Sequence, residues 1–479
     1  MTDPGYPRDL AAAPDHAALG DPGLGDPGRS EPSLGDPGPG APTSLAETES
    51  PEAPVARHLL PLTASRTASG GLAVGGVDLI ELAQEVGTPV FVYDEDHLRA
   101  RCREVVASFG TGAVAYGTKA FLCRAMARLA AEEGLHLDVS TGGELAVALA
   151  AGVPGDRLVL HGNNKSTAEI SAALRAGVGR IVVDSFDEIR RLRELSDAGL
   201  VGGGLDALLR VTPGVEAHTH EYVMTGQEDS KFGFSLASGA ADEAAHALGE
   251  VRGVRLVGAH SHVGSQIFAV EVYARVVSLL TPFIARHDLS ECCLGGGLGV
   301  AYINSEHAPS MAEWSSVVRS ACAAAGLPSQ VRISVEPGRS VVATAGMTLY
   351  TVGTIKEIPG VRTYVAVDGG MSDNPRPVLY GSGYEAMLLR EPDAERRWAV
   401  RIVGKHCESG DVLLDDGRLP VGTRVGDLLA TPVTGAYGWS MASNYNRVGR
   451  PPVVFVRGGR ARVVVRRETI ADLLRLDQQ

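Results

Sequence analysis

The stretch AVAYGTKAFLCRAMARLAAEEGLHLDVS, residues 113–140, contains the pattern that decides the fold. It opens with a short apolar run, continues with an alanine-, leucine- and arginine-rich segment typical of a helix, and ends with a second apolar run. Between about residues 85 and 340 this rhythm repeats, and glycine closes several of the helical segments. The eight predicted strands are Ala113–Thr118, Leu135–Ser140, Arg157–His161, Arg180–Asp184, Ala207–Thr212, Arg255–His262, Glu291–Leu294 and Val331–Glu336.

Eight strands that alternate with helices predict an α/β fold, either a (β/α)8 TIM-like barrel or an open doubly wound sheet. Nearly every predicted strand ends in a polar or glycine cluster. Active sites of barrels are built at the carboxyl ends of their strands, so these clusters favour the barrel. The clusters begin at Lys119, Asp138, His161, Asp184, Arg210, His260, Gly295 and Glu336.

Composition divides the chain into three parts. Residues 1–56 are rich in Pro, Gly and Asp, with near repeats of LGDPG, and such a segment cannot bury a core, which predicts a disordered tail. Residues 85–340 form the predicted barrel. After residue 340, Val- and Thr-rich runs broken by Gly, Pro and Asp predict a mainly β domain spanning 341–479, to which 57–84 contributes.

Net charge and the pattern of cysteines indicate which partners and which cellular location to expect. The net charge of −13 argues against a nucleic-acid partner, and no apolar stretch is long enough for a membrane span. The first residues lack the basic flank and apolar core of a secretory signal. The six cysteines show no CxxC spacing and no density typical of a disulfide framework. A reducing cytoplasmic location is therefore expected.

Lysine is scarce, and its first occurrence is informative. The chain has 44 Lys and Arg residues, of which only five are lysines. Arginine cannot lose its proton at usable pH, so amine chemistry needs lysine. Lys119 ends the first barrel strand, where desolvation and neighbouring charges can free its amine for attack on a carbonyl carbon. A salt-bridged core lysine is the alternative.

Two further strand ends carry groups that suit a phosphorylated cofactor. The run Leu294–Gly299 contains adjacent glycines that expose backbone N–H groups to a phosphate, although a tight turn explains them equally well. The last strand closes with Glu336 and Arg339. Beside a phosphate site and a reactive lysine, Glu336 suits a pyridinium nitrogen, whereas a plain salt bridge is the alternative.

The remaining candidates are weaker individually. At another strand end, His262 could lie against a planar cofactor and Ser265 could reach its phosphate. Cys407 could act as a general acid, or be an inert buried thiol. No further ligands at suitable spacing surround it, so no metal site is expected. The planar fork of Arg376 suits a carboxylate, although a surface salt bridge explains it as well.

Together these motifs closely resemble the diaminopimelate decarboxylase family of fold type III pyridoxal phosphate enzymes, relatives of ornithine decarboxylase. The resemblance runs from about residue 80 to the C-terminus. The motifs that carry it, in the family's order, are YGTKAF, LDVSTGGEL, HGNNKS, GVEAHTHEY, EDSKFG, HSHVGSQIF, LGGGLG, EPGR, DGGMSDNPRP, GKHCESGD and TGAY. Gly117 in the first motif stands where the family more usually has alanine.

The resemblance implies roles for individual residues. Lys119 is expected to attach pyridoxal 5'-phosphate covalently, and Cys407 to donate the proton to the product. The implied cofactor contacts are His262, Ser265, Gly295, Gly296, Gly297, Glu336, Arg339 and Tyr437. The implied substrate contacts are Arg339, Arg376, Tyr380, Glu408 and Tyr437. Family members are homodimers with shared active sites, so Cys407 and Glu408 are expected to come from the partner subunit.

The implied reaction is decarboxylation of meso-2,6-diaminopimelate to L-lysine and CO2, the last step of lysine biosynthesis. The distal end of this substrate is zwitterionic, and Arg376 and Glu408 together fit its two charges. Three alternatives stay open. They are a related decarboxylase acting on ornithine, carboxynorspermidine or a carrier-bound amino acid, an amino-acid racemase, and a catalytically silent regulatory paralogue.

Overall fold

The computed structural model describes residues 52–202, 204–215 and 230–478. Almost all of the predicted tail, the end of GVEAHTHEY and the start of EDSKFG lie outside these residues. The first seven helices are α1 (Leu79–Val86), α2 (Glu95–Phe109), α3 (Arg124–Glu132), α4 (Gly142–Ala150), α5 (Thr167–Arg175), α6 (Phe186–Asp197) and α7 (Ala240–Gly249). The next five are α8 (Val272–Arg286), α9 (Met311–Ala324), α10 (Arg339–Val342), α11 (Arg376–Tyr380) and α12 (Ile470–Leu474).

The strands of the described residues fall into three sheets. Strands up to the end of the barrel are β1 (Ser65–Arg66), β2 (Leu72–Val74), β3 (Val77–Asp78), β4 (Val90–Asp94), β5 (Ala115–Gly117), β6 (His136–Val139), β7 (Leu158–Leu160), β8 (Arg180–Val183), β9 (Leu205–Thr212), β10 (Phe234–Ser235), β11 (Val254–His260), β12 (Glu291–Cys293) and β13 (Arg332–Ser334). The later strands are β14 (Gly346–Ile358), β15 (Arg362–Val367), β16 (Met387–Leu388), β17 (Trp398–Val403), β18 (Val412–Leu419), β19 (Leu428–Pro432), β20 (Val453–Arg457) and β21 (Arg460–Val465).

The predicted (β/α)8 barrel is confirmed. Its parallel strands run in the order β5-β6-β7-β8-β9-β11-β12-β13. The ring closes where Val114 bridges Val335, with Val335 N–H donating to the Ala113 carbonyl at 2.9 Å. Helices follow most of the strands, and several begin at a side-chain cap, such as the capping box of Ser166 and Glu169.

The amino-terminal end of the barrel is closed by a buried carboxylate. Glu291, the first residue of β12, accepts a hydrogen bond from the Ser334 hydroxyl at 2.7 Å and lies 3.1 Å from Arg180 Nε. It also pairs with Arg332, the first residue of β13. Since an unpaired buried charge is costly, this network stabilises the end of the barrel opposite the strand-end clusters.

The second large sheet combines strand β4, which precedes the barrel strands in the sequence, with strands that follow them. Its order is β18-β17-β15-β14-β4-β20-β21, and β14 also pairs with β19. Strand β4, Val90–Asp94, lies within the range 85–340 that the sequence assigns to the barrel, but it pairs with β14 and β20. Its five residues are all buried, and a short apolar run of this kind fits either sheet. The barrel in the structure therefore begins after β4, at β5, and not at residue 85.

The stretch before the barrel also differs from expectation. Residues 57–84 supply β1, β2 and β3, which form a separate three-stranded antiparallel sheet rather than joining the larger one. Strand β2 is buried in the hydrophobic core. Within the described ranges, no helix combines the length and apolar character that crossing a membrane requires.

Candidate active site

A cavity of about 840 Å³ opens at the carboxyl ends of the barrel strands. Lys119 reaches it from the turn Thr118–Ala120, directly after β5. Within the described part of the chain, Lys119 forms no ion pair, so the salt-bridge alternative is not supported. The predicted site residues that line the cavity are Lys119, His262, Ser265, Gly296, Gly297, Glu336, Arg339, Arg376, Tyr380 and Tyr437.

Gly296 and Gly297 line the cavity with bare backbone, the glycine recess, because neighbouring backbone leaves no room for a side chain on either residue. A Cβ atom on Gly296 would lie 2.3 Å from the Glu336 carbonyl, and one on Gly297 would lie 2.4 Å from the Gly264 carbonyl. Gly297 also has a φ of 108°. Gly295, which is buried but does not line the cavity, has a φ of 62° and begins this turn. Only glycine permits so close a backbone approach together with this conformation.

His262 is fixed beside the recess by the same run. Its Nδ1 accepts a hydrogen bond from the Gly296 N–H at 3.2 Å. Burial, together with the nearby charge of Lys119, holds the pKa of His262 well below its usual range. The imidazole is therefore neutral, with Nδ1 as the acceptor, which leaves a flat uncharged ring at the cavity wall.

Glu336 lies between two buried histidines. Its Oε2 is hydrogen-bonded to His260 Nε2 at 2.9 Å, and its Oε1 lies 2.9 Å from His161 Nε2. Burial alone would raise the pKa of Glu336, but the charges and hydrogen bonds of the two rings hold it well below its usual range. Asp138 lies 3.7 Å from His161, and burial raises the pKa of Asp138 to about 6. Glu336 is thus ionised in spite of its burial.

Arg339 and Arg376 are held by hydroxyl groups. Arg339 donates to Tyr302 Oη at 2.7 Å and to Ser265 Oγ at 2.8 Å. Arg376 donates to the same Tyr302 oxygen and to Ser382 Oγ at 2.9 Å. Arg376 is buried, which rules out the alternative of a surface salt bridge.

Tyr437 completes this side of the cavity in an unusual backbone conformation. Its φ is 59°, which non-glycine residues rarely adopt, and its N–H donates to the Ala120 carbonyl at 2.8 Å. The Arg339 guanidinium lies 4.8 Å above its ring. Such strain persists where surrounding structure over-determines it, often at functional sites. The backbone bond to Ala120 ties Tyr437 to the turn that carries Lys119.

Cys407 and Glu408 do not line this cavity. Cys407 is exposed in the single chain, so the alternative of a buried inert thiol is wrong. Their loop is nevertheless well anchored, because Asp411 accepts hydrogen bonds from the N–H groups of His406 and Met371 at 2.8 and 2.6 Å. The chain therefore displays these two side chains on its surface in a fixed loop.

Three groups in this site are not predicted from the sequence. His161 and His260 end predicted strands, but neither received a role, since a lone histidine is more often structural. Tyr302 belongs to none of the motifs. The only available signal for it was its place three residues after Gly299, in the segment that continues the glycine run.

The residues present fit pyridoxal phosphate. Among the described residues, the buried Nε atoms of Arg339 and Arg376 in the cavity wall have no hydrogen-bond partner, so the polar groups here are not fully satisfied by the protein. At the glycine recess only backbone lines the cavity, so a phosphate can approach that backbone closely. The amine of Lys119 suits the aldehyde of the cofactor, and ionised Glu336 suits its pyridinium nitrogen. The glycine recess suits its phosphate.

Comparison with known proteins agrees with this fit. Residues 95–343 match the family described as pyridoxal-dependent decarboxylase, pyridoxal binding domain. The diaminopimelate decarboxylase of Mycobacterium tuberculosis is 48% identical over 443 residues, covering 88% of this chain and 98% of the relative. That of Actinosynnema pretiosum is 51% identical over 420 residues, covering 86% and 93%.

A solved structure extends the agreement to the fold. The diaminopimelate decarboxylase of M. jannaschii, in complex with L-lysine, superposes with a TM-score of 0.80 at 32% identity. The match covers 87% of this chain and 98% of that one. The chain therefore belongs to the diaminopimelate decarboxylases, a family of pyridoxal phosphate-dependent enzymes.

Proposed function

We propose that this chain is a pyridoxal phosphate-dependent carboxy-lyase that converts meso-2,6-diaminopimelate to L-lysine and CO2, the last step of lysine biosynthesis. The observation that carries the proposal is one cavity that joins Lys119, ionised Glu336 and the glycine recess to the paired guanidinium groups of Arg339 and Arg376. Near-complete coverage of relatives that bear this name supports it.

The cofactor, when bound, supplies an electron sink for the bond between the α-carbon and its carboxylate. Lys119 Nζ would hold the cofactor covalently. Glu336 stays anionic between its two histidines and would keep the cofactor's pyridine nitrogen protonated. The neutral ring of His262, in the cavity wall, would shield the bound cofactor from water.

The distal end of the substrate requires a cation and an anion. Arg376 and Arg339, with Tyr380 beside them, supply positive charge and donors for its carboxylate. Glu408 supplies the negative charge for its amine. Cys407 Sγ–H donates the proton to the carbon that has lost CO2, because a thiol can act as a general acid.

Cys407 and Glu408 act in the cavity of a partner subunit. Both are exposed in the single chain and lie on an anchored loop, which suits insertion into a second copy. The active form is thus a homodimer with two shared sites. The six free cysteines favour a reducing, cytoplasmic location.

Mixing two inactive variants tests the shared site. Lys119→Ala and Cys407→Ala homodimers are each expected to be nearly inactive. In an equal mixture half the dimers are hybrids, and each hybrid has one site with both groups intact. Activity should therefore recover to about a quarter of the wild-type value. Differently tagged subunits verify exchange by mass, and each variant mixed with itself is the control. Proven hybrids without recovered activity would contradict the shared site.

The substrate assignment is tested by CO2 release. The holoenzyme is incubated separately with meso-diaminopimelate, ornithine and arginine. Release from diaminopimelate alone is expected, because ornithine and arginine lack the second amino-acid group that the arginines and Glu408 would hold. Release from ornithine but not from diaminopimelate would overturn the assignment. A protein that binds the cofactor but releases no CO2 from any of these substrates would favour the silent paralogue.

A further inference from the structure

Tyr302 joins the two arginines of the site through one oxygen atom. Its side chain is buried, and its hydroxyl accepts hydrogen bonds from Arg339 Nη1, at 2.7 Å, and from Arg376 Nη1. We propose that Tyr302 is a positioning residue that holds Arg339 and Arg376 side by side as a two-cation receptor for the distal carboxylate of the substrate. This inference rests on the proposed function and deepens it.

The two guanidinium groups need such a link because nothing else in the described residues balances them. Neither arginine has an ion-pair partner there, and Nε of each is buried without a hydrogen-bond partner. Other buried cations of the barrel are paired, as Lys165 is with Glu188 at 2.9 Å. Two buried guanidinium groups without a paired negative charge favour binding of an anion, and the carboxylate of the substrate is such an anion.

The phenol oxygen suits this role chemically. Its two lone pairs face two charged donors, and neither guanidinium can accept a hydrogen bond in return. Burial raises the pKa of Tyr302, but Arg339 and Arg376 together lower it below its usual range. Negative charge gathered on this oxygen screens the repulsion between the arginines while leaving a net positive charge for one carboxylate.

The ring of Tyr302 is held in place independently of its hydroxyl. It packs edge-on against Tyr384, with ring centroids 5.2 Å apart and an interplanar angle of 77°, and Arg376 lies 4.3 Å over its face. Removing the hydroxyl alone therefore leaves the packing in place. Each arginine would keep one hydroxyl partner, Ser265 for Arg339 and Ser382 for Arg376, but the link between them would be lost.

The test compares two ligands of the cofactor-loaded Tyr302→Phe enzyme by titration calorimetry. L-Lysine keeps the distal carboxylate, whereas cadaverine lacks it. Loss of a hydrogen-bonded charge contact predicts L-lysine binding weakened about 10- to 100-fold, with cadaverine binding unchanged within about twofold. KM for diaminopimelate should rise similarly, with kcat changed less. A merely structural role would weaken both ligands alike.

Two further variants keep the test decisive. Tyr384→Phe leaves both hydrogen bonds to Tyr302 in place and should preserve the preference for L-lysine. If Tyr302→Phe does not fold, Arg376→Lys replaces it, because an ammonium cannot reproduce the planar fork and should cause the same selective loss. Unchanged L-lysine affinity in the folded variant would overturn the proposal. Absence of L-lysine binding and of diaminopimelate turnover in the wild type would instead overturn the proposed function.

Discussion

Lys119→Ala protein is expected to lose covalent attachment of pyridoxal phosphate completely. Lys119 Nζ is the amine at the end of β5 that faces the cavity, and no other side-chain type there can form the link. Borohydride treatment followed by peptide mass spectrometry should add the cofactor's mass to the wild-type peptide containing residue 119 and add nothing to the variant. Decarboxylase activity should fall on the order of 10³-fold or more.

Lys231 provides the matched control. It is the other lysine among the described residues that line the cavity, and its Nζ lies 5.0 Å from the centroid of the Phe232 ring. Lys231→Ala should keep the added mass at residue 119. Attachment at Lys231, or an adduct that persists in Lys119→Ala, would contradict the assignment of the anchor.

Glu336→Gln is expected to inactivate a folded enzyme. The amide would keep the shape of the side chain but lose the negative charge that His161 and His260 hold in place. Without that charge a facing pyridine nitrogen would not stay protonated. Removing one preorganised electrostatic group of this kind costs about 10²- to 10³-fold in kcat. Steady-state kinetics and thermal unfolding of the cofactor-loaded variant measure the two properties separately.

Glu291→Gln, at the other end of the same barrel, is expected to lower stability but not the activity of the folded enzyme. Glu291 is also a buried acid, but it pairs with Arg180 and Arg332 away from the cavity mouth. Breaking a buried pair destabilises a protein by about 3 kcal/mol, so this variant should unfold more easily while its folded fraction keeps activity. Equal loss of activity in the two variants at matched stability would show that Glu336 acts only through the fold.

Local sequence signals sufficed for the barrel because each strand is a short apolar run ending in polar residues. Leu135–Ser140, for example, contains the observed strand His136–Val139. They did not suffice for β4, because a wholly buried run of five residues looks the same in either sheet. Its pairing with β14 and β20 depends on residues more than 250 positions away.

Those site residues that end a predicted strand could be predicted from the sequence. Lys119, the glycine run and Glu336 each end a strand and so meet in the cavity. The bonding of Glu336 to His161 and His260 could not be predicted, because it joins residues from three separate strand ends. Tyr302 acquires its significance only when the fold brings Arg339 and Arg376 to its hydroxyl.

Product analysis in deuterium oxide tests whether the enzyme decarboxylates diaminopimelate. The holoenzyme should convert meso-diaminopimelate to L-lysine carrying one deuterium, on the ε-carbon that lost CO2, because the proton donor exchanges with solvent. Mass spectrometry locates the deuterium and chiral chromatography identifies the L form. Recovery of undecarboxylated diaminopimelate with deuterium at an α-carbon would instead identify the enzyme as a racemase and rule out the decarboxylase.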